Sequence, residues 1–541
     1  MRPGMRTVLL GLVLIGALAL ATALAACSVD TSGGSGSGSG SQHGNQLTIL
    51  AGSELKDLEP LLADFERQND VDLRFDYVGT LDGTEQIVSG KDDHDLAWFS
   101  HAKYLELLQQ SGPKRIHAST SIMLSPVVIG VKRSVAQRLG WTGKAKVTWR
   151  EIAEAAKAGD LRFAMTNPAS SNSGFTALLG VASAFAGSAD AIDAGKIDEK
   201  AMADLFAGQK LTAGSSGWLA EAFVASQNDL DAIINYESVL LSLNASGDLK
   251  EPLTIVYPKE GIVTANYPLL LLHEGKKAIY DKLVTYLLSP EVQEQITTKT
   301  LRRPVTAGVA PDPRLPQRLL VELPFPSTID TIDRILFAYL DHARPPAHAT
   351  FVLDTSGSMS EDNKLTDLQT ALRGLTGLDK TLTGRFSRFH DRENLTFIPF
   401  NHEVLDVRDF AVTTADEKDP AFGQIRQYVD GLQANGKTAI YDALMKAYDG
   451  AAAAQAAEPD RYYSIVLMTD GQNNTGHGVD GFVSFFQGLP AAARRIRTFP
   501  VLFGEASPAE LERIAQLTGG KVFDARTSSL SQIFKEIRGY Q

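Results

Sequence analysis

Short apolar strands alternate with helical segments along most of this 541-residue chain. Near its beginning, the β-rich run 46–51 precedes a helical pattern, and residues 73–78 then form an alternating strand. In the last third, residues 349–353 and 465–469 are strands of the fully buried type. Such alternation predicts mostly parallel sheets with helices on their faces, and therefore an α/β fold. In such folds the functional loops follow the carboxyl ends of the strands.

The charge and cysteine content exclude several classes of function. The net charge is -12 and the chain contains one cysteine. An acidic chain lacks the positive surface that binds phosphate backbones, so we expect no nucleic-acid partner. One cysteine forms neither an internal disulfide nor a cysteine-based zinc site.

The first residues have the pattern of an export signal. Arg2 and Arg6 precede an uncharged run that ends in Leu-Ala-Ala before Cys27. This ending resembles the lipobox of bacterial lipoproteins, and the resemblance implies cleavage of residues 1–26 and lipidation of Cys27. The alternative is an uncleaved transmembrane anchor, because about 20 apolar residues span a bilayer. We expect a chain that is lipid-anchored to the cell membrane on its extracytoplasmic face, with residues 27–45 as a Gly/Ser tether.

Residues 46–310 present polar side chains where a ligand cleft would form. Some follow strands, some lie in the Ser- and Asn-rich start of an apolar helix, and two form a Tyr-Glu pair. The candidates are Ser53, Thr80, Ser100, Ser171, Ser173, Tyr236 and Glu237. The helix start is either an ordinary N-cap or a site for an anion or carboxylate-bearing solute, which free backbone N–H groups would bind.

This order of features behind a lipobox resembles the bacterial extracellular solute-binding proteins that serve ABC transporters. The Ser-rich helix start, the Tyr-Glu pair and a Tyr-Pro turn at 257–258 match positions where that family builds its cleft. The resemblance implies a periplasmic-binding-protein-like domain with two α/β lobes joined by crossing strands. A small solute would lie between the lobes.

Residues 311–346 are rich in proline and enclose one amphipathic stretch, residues 329–343. We interpret this segment as a semi-rigid connector with a bridging helix. The alternative is that the helix completes the first domain.

In the last region, 347–541, oxygen-bearing side chains follow three separate elements. Asp354, Ser356 and Ser358 follow a strand, Thr438 precedes a long helix, and Asp470 ends another strand. Parallel strands return these side chains to one edge of the sheet. Carboxylate and hydroxyl oxygens are hard ligands, which suit Mg²⁺ better than a soft metal.

These sequence motifs resemble those of the von Willebrand factor type A domain, which has a Rossmann-like fold and carries a metal-ion-dependent adhesion site. Asp354, Ser356, Ser358, Thr438 and Asp470 match the five family positions. The resemblance implies bound Mg²⁺ or Mn²⁺ with one position open to an Asp or Glu of a protein partner. The alternatives are a metal that serves only the fold, or an empty site.

The whole chain resembles actinobacterial lipoproteins that combine a substrate-binding and a von Willebrand domain. We expect recognition of a small solute and a protein partner, in adhesion or scaffolding. One alternative is the substrate-binding component of an ABC transporter with an accessory domain. Another is a hydrolase that uses the Ser171 and Ser173 region, but no general base is placed near it in the sequence. Catalytic zinc, nucleophile-elbow and phosphate-loop motifs are also absent from the sequence, so we expect no enzyme.

Overall fold

The computed structural model describes residues 46–541, apart from residues 91, 111, 144–145, 188–190, 318–319, 415–417 and 527. The predicted signal peptide, Cys27 and the tether lie outside the described residues. The described residues form one compact unit. Within the described part, no helix is both long enough and apolar enough to cross a membrane.

The secondary structure alternates as expected. The strands are β1 Gln46–Ala51, β2 Asp72–Tyr77, β3 Leu96–Trp98, β4 Ala118–Ser121, β5 Met123–Lys132, β6 Phe163–Thr166, β7 Gln209–Ala213, β8 Ala232–Tyr236, β9 Leu253–Val256, β10 Thr264–Ala265, β11 Pro268–Leu271, β12 Arg303–Pro304, β13 Ala347–Asp354, β14 Asn394–Phe400, β15 Arg408–Ala411, β16 Tyr462–Thr469, β17 Arg497–Leu502 and β18 Phe523–Asp524.

The α-helices are α1 Glu59–Asn69, α2 Thr80–Ser89, α3 Lys103–Gln109, α4 Arg133–Arg138, α5 Trp149–Lys157, α6 Asn172–Ala186, α7 Glu199–Phe206, α8 Ser216–Ala225, α9 Glu237–Ser246, α10 Lys277–Leu287, α11 Pro290–Thr300, α12 Ile329–Phe337, α13 Lys364–Arg373, α14 Gly384–Ser387, α15 Pro420–Asp430, α16 Ile440–Ala457, α17 Val479–Gly488, α18 Pro508–Thr518 and α19 Leu530–Arg538. Short 3₁₀ or π turns cover Ser53–Leu58, Ala194–Lys196, Glu274–Lys276, Ala338–Ala343, Gly357–Ser360, Gly374–Leu378 and Ala493–Arg495.

The first region has two lobes, each with its own sheet. The first lobe contains the order β2-β1-β3-β11-β4, and the second contains β10-β5-β8-β6-β7 with β9 and β12 also paired to β5. The chain crosses between the sheets at Ile122, between β4 and β5, and at residues 266–267, between β10 and β11. The strand ends of the two lobes therefore face a common interlobe space.

The last region is one six-stranded sheet in the order β15-β14-β13-β16-β17-β18. All pairs are parallel except the edge pair β14–β15. Because β13 and β16 are central, their side chains are buried on both faces, which explains their continuous apolar runs. These observations confirm the predicted α/β class: a two-lobed region followed by a mostly parallel sheet with flanking helices.

In the segment between the two regions, helix α12 packs against the first region. Ile332, Ile335 and Leu336 of this helix are fully buried in the same apolar cluster as the first region's core. The helix contacts α6 and α3, and the π turn after it contacts α7. Thr328 caps the helix by accepting a hydrogen bond from the backbone N–H of Thr331.

Candidate metal centre and interlobe cavity

Asp354 stands at the carboxyl end of β13 with its side chain fixed by two hydrogen bonds. One carboxylate oxygen accepts the backbone N–H of Ser356 at 2.7 Å, and the other accepts the Thr469 hydroxyl at 2.6 Å. The parallel pairing of β13 with β16 brings these strand ends together. Burial raises the pKa of Asp354 to about 6; the two hydrogen bonds oppose this increase, and the charge of Asp470 adds to it.

The hydroxyl groups form a continuous chain beside this carboxylate. The Ser356 and Ser358 hydroxyl oxygens are 3.2 Å apart, and Ser358 donates to Asp470 at 2.8 Å. Thr438 is held at the start of α16 because its backbone N–H donates to Asn474 at 2.9 Å. A Cβ built on Gly471 would lie 3.8 Å from the Thr438 hydroxyl oxygen and 3.9 Å from that of Ser358. All five candidate ligands thus meet at one edge of the sheet.

Lys364 is a charged neighbour that the sequence reasoning did not single out. It begins α13, and its ammonium donates to the second oxygen of Asp470 at 2.8 Å. Burial lowers the pKa of Lys364, but the hydrogen bond and the charge of Asp470 outweigh burial and raise it. The sequence feature that could have indicated Lys364 is its position, six residues after Ser358 and at the start of the next helix.

The donor set suits a hard divalent cation. It consists of two carboxylates and three hydroxyl groups, with no nitrogen or sulfur ligand. Mg²⁺ prefers such oxygens and keeps several of its waters. Lys364 already balances part of the negative charge of Asp470, so a bound cation would share that carboxylate with the ammonium group.

The interlobe cavity has a volume of about 250 Å³. Two of the seven predicted cleft residues, Ser53 and Ser171, line it. Thr80 lies at the start of α2 and hydrogen-bonds Asn172 of the other lobe. The cavity therefore lies between lobes that are in direct contact.

Glu54 and Asn172 are cavity residues that the sequence reasoning missed. Asn172 donates to the Glu54 carboxylate across the lobes at 3.1 Å. Burial raises the pKa of Glu54, while its hydrogen bonds and the charge of Arg302 lower it. The sequence indicates these two residues only weakly. Glu54 follows the predicted Ser53 and Asn172 follows the predicted Ser171, and the local pattern does not show that both residues of each pair line the cavity.

The other predicted cleft residues do not line this cavity. Ser100 and Tyr236 are buried, and neither hydroxyl forms a hydrogen bond within the described part of the chain. The charge of nearby Glu54 adds to the effect of burial, and together they raise the pKa of Tyr236 well above its usual value.

Ser173 and Glu237 have partners of their own inside the second lobe. The Ser173 hydroxyl bonds those of Thr166 at 2.9 Å and Ser216 at 2.7 Å. The Glu237 carboxylate pairs with the Arg303 guanidinium through two hydrogen bonds of 2.8 Å. Both side chains therefore hold elements of the lobe together.

Comparisons with known families agree with both halves of the chain. Residues 47–299 match the family model of bacterial extracellular solute-binding proteins, and residues 350–536 match that of the von Willebrand factor type A domain. The chain carries a solute-binding domain followed by a von Willebrand domain. Domains of both kinds are generally non-enzymatic. The match to extracellular solute-binding proteins suggests an extracytoplasmic location. A search of curated proteins finds no match.

Several solved structures are similar at low identity. The periplasmic binding protein AfuA from Actinobacillus pleuropneumoniae, with exogenous fructose-6-phosphate bound, is 18% identical; the match covers 56% of this chain and 99% of that chain, with a TM-score of 0.44. A ferric binding protein from Campylobacter jejuni is 15% identical over 54% of this chain and 96% of that chain, with a TM-score of 0.40. A von Willebrand factor type A protein from Catenulispora acidiphila is 18% identical over 36% of this chain and 43% of that chain, with a TM-score of 0.29.

Proposed function

We propose that this chain is a surface lipoprotein that recognises a small solute between its lobes and a protein partner through a Mg²⁺-dependent von Willebrand site. The observation that carries the protein-binding part is the convergence of Asp354, Ser356, Ser358, Thr438 and Asp470 at one sheet edge. The lipid anchor rests on the sequence around Cys27 alone.

The bound ion would supply a positive charge that attracts a carboxylate of the partner. Asp354 would hold it from a fixed position, since its carboxylate is oriented by Ser356 and Thr469 before any ion arrives. The three hydroxyl groups are neutral, and Lys364 already offsets part of the charge of Asp470, so the occupied site would keep a net positive charge. An Asp or Glu of the partner would provide the remaining negative charge.

Delivery of solute to an ABC permease is the weaker candidate. A delivery protein has to open and close its lobes to take up and release cargo. Here the von Willebrand domain is bonded to both lobes: the Thr383 backbone N–H donates to Glu85 of the first lobe at 2.9 Å, and Asn167 of the second lobe donates to the carbonyl of Arg538 at 3.2 Å. This arrangement favours a recognition role over repeated delivery.

The metal is tested by titrating Mg²⁺ into the full chain and into Asp354→Ala in a calorimeter. We expect binding to the wild type and none to the variant, because three hydroxyls and one carboxylate cannot replace the hydration shell of Mg²⁺. The matched control is Asp480→Ala, whose carboxylate is 92% exposed in the same domain. Identical isotherms for wild type and Asp354→Ala would contradict the proposed site.

The anchor is tested separately with Cys27→Ser. Metabolic labelling with a clickable fatty acid should mark the wild type and leave the variant unlabelled, because Cys27 is the only thiol in the chain. Equal labelling of both would refute lipidation at this residue.

A further inference from the structure

The interlobe cavity has a third wall, which comes from the von Willebrand domain. Lys521, Gln532, Glu536 and Tyr540 of that domain line the cavity together with residues of both lobes. We call these four residues the C-terminal wall. A solute in the cavity would therefore be enclosed by two domains.

Helix α19 carries the centre of this wall and has two distinct faces. Ile533, Phe534 and Ile537 are buried in an apolar cluster that includes the von Willebrand core. Gln532 and Glu536 are four residues apart, so they lie on one side of the helix, and both line the cavity. The apolar face fixes the helix, and the polar face is presented to the cavity.

The side-chain polar groups of Gln532 and Glu536 have no hydrogen-bond partner within the described part of the chain. The Gln532 backbone N–H donates to the Ser529 hydroxyl. Burial raises the pKa of Glu536, and the charge of Lys521 acts in the opposite direction. A hydrogen bond between a ligand and a half-buried polar group of this kind stabilises the complex.

The C-terminal wall is seated tightly against the second lobe. The Tyr540 ring packs edge-on against Trp218 with 5.0 Å between ring centroids. Gly539 lies directly against Ser170, where a Cβ would have no room, and Gly79 of the first lobe packs against the same residue. The wall is thus part of the cavity lining and is in direct contact with the second lobe.

Resting on the solute-binding part of the proposed function, we propose that Gln532 and Glu536 contact the bound solute. The solute would be small and polar. It would direct a hydroxyl or ammonium donor at the Glu536 carboxylate and would meet the Gln532 amide, which both donates and accepts. Its site would then need both domains, and a fragment limited to residues 46–310 would lack one wall.

The experiment uses the full chain and a fixed set of probes. Monosaccharides supply hydroxyl donors, amino acids supply an ammonium donor, and inorganic phosphate serves as an anion; each is screened by thermal shift and the binders are titrated by calorimetry. The variants are Gln532→Ala, Glu536→Gln and the cavity-filling Gln532→Trp. Arg526→Gln is the control, since Arg526 is exposed in the same C-terminal segment, pairs with Asp524 and does not line the cavity.

We expect a monosaccharide or an amino acid to bind the wild type, and the class that binds identifies the donor. Its Kd should rise about tenfold in Gln532→Ala and in Glu536→Gln, the equivalent of one lost hydrogen bond, and Gln532→Trp should abolish binding. Arg526→Gln should bind as the wild type does. Circular dichroism checks the fold of each variant, and Gln532→Ala carries the test alone if Glu536→Gln unfolds.

Two results would overturn the inference in different ways. If a probe binds the wild type and all three wall variants equally, phosphate included, the wall does not contact the solute, while solute binding itself stands. If no probe binds the wild type, solute binding of these classes is rejected and the inference is rejected with it.

Discussion

Lys364 places a positive charge next to the candidate metal ligands, and this charge opposes a bound cation. We predict that Lys364→Met tightens Mg²⁺ binding by roughly tenfold, because a buried like charge is poorly screened by solvent. Calorimetric titration of the full chain measures the change. Lys437→Met is the matched control: Lys437 precedes Thr438 in sequence but is exposed, so its removal should matter little. Weaker binding in Lys364→Met would show that Lys364 orients Asp470 more than it competes with the ion.

A second prediction concerns Asp82, where the lobes meet α19. Burial and the charges of Glu536 and Glu85 raise its pKa from 3.8 to about 7, while Lys535 and the Thr383 hydroxyl lower it. The folded state then holds a proton on Asp82 that the unfolded state releases at lower pH. This contribution to stability is present in acid and is lost as the pH rises through 7.

Asp82→Asn, which has no proton to lose, should therefore raise the melting temperature more at pH 8 than at pH 5. Thermal unfolding at both pH values provides the measurement. The control is Asp480→Asn, at a 92% exposed carboxylate. An equal gain at the two pH values would mean that the Asp82 carboxyl titrates normally.

At the residue scale, sequence reasoning was informative where topology alone places a side chain. Asp354 and Asp470 follow strands that pair in parallel, so their proximity follows from the strand order. Lys364 and Glu54 were missed because their partners are 106 and 118 positions away. Such pairs depend on how helices and lobes pack, which a local pattern does not encode.

At the scale of elements, a buried charge cluster joins α19 to the start of β14. Glu393 is completely buried, and its carboxylate binds the guanidinium groups of Arg344 and Arg538. Burial raises the pKa of Glu393, but the two arginines and His390 outweigh burial and lower it. The cluster holds the helix that carries the C-terminal wall.

We predict that Glu393→Ala destabilises the protein by about 3–5 kcal/mol, because two buried guanidinium groups lose their counter-charge. Asp524→Ala, which breaks the solvent-exposed pair with Arg526, should destabilise the protein far less. Urea unfolding followed by circular dichroism compares the two. Similar losses in both variants would show that the cluster contributes no more than a surface ion pair.

The sequence predicts the bounds of the inner strand β14 better than those of the edge strand β15, and the reason is physical. The resemblance to the von Willebrand domain also predicts a pair of strands over 394–400 and 404–409. The first coincides with β14, which is paired on both sides and buried along most of its length. Its predicted partner, residues 404–409, is displaced: the observed strand is Arg408–Ala411. An edge strand has one neighbour and one face exposed to solvent, so its sequence restrains the register weakly.

At the scale of the whole molecule, the two domains share their packing. One apolar cluster contains Leu211 and Phe223 of the second lobe together with Phe499 and Tyr540 of the von Willebrand domain. The two domains were visible in the sequence, but their attachment was not. It depends on contacts such as Asn167 with Arg538, which are 371 positions apart.

This shared packing predicts that the two domains unfold together. Differential scanning calorimetry of the full chain should show one transition. Trp218→Ala should lower its midpoint by several degrees or divide it in two, because Trp218 contacts both the Tyr540 ring and, at 5.5 Å, the Arg497 guanidinium. Leu378→Ala is the control, since that leucine is 55% exposed. Two separate transitions in the wild type would show that the interface is too weak to couple the domains, and the C-terminal wall would then be free to leave the cavity.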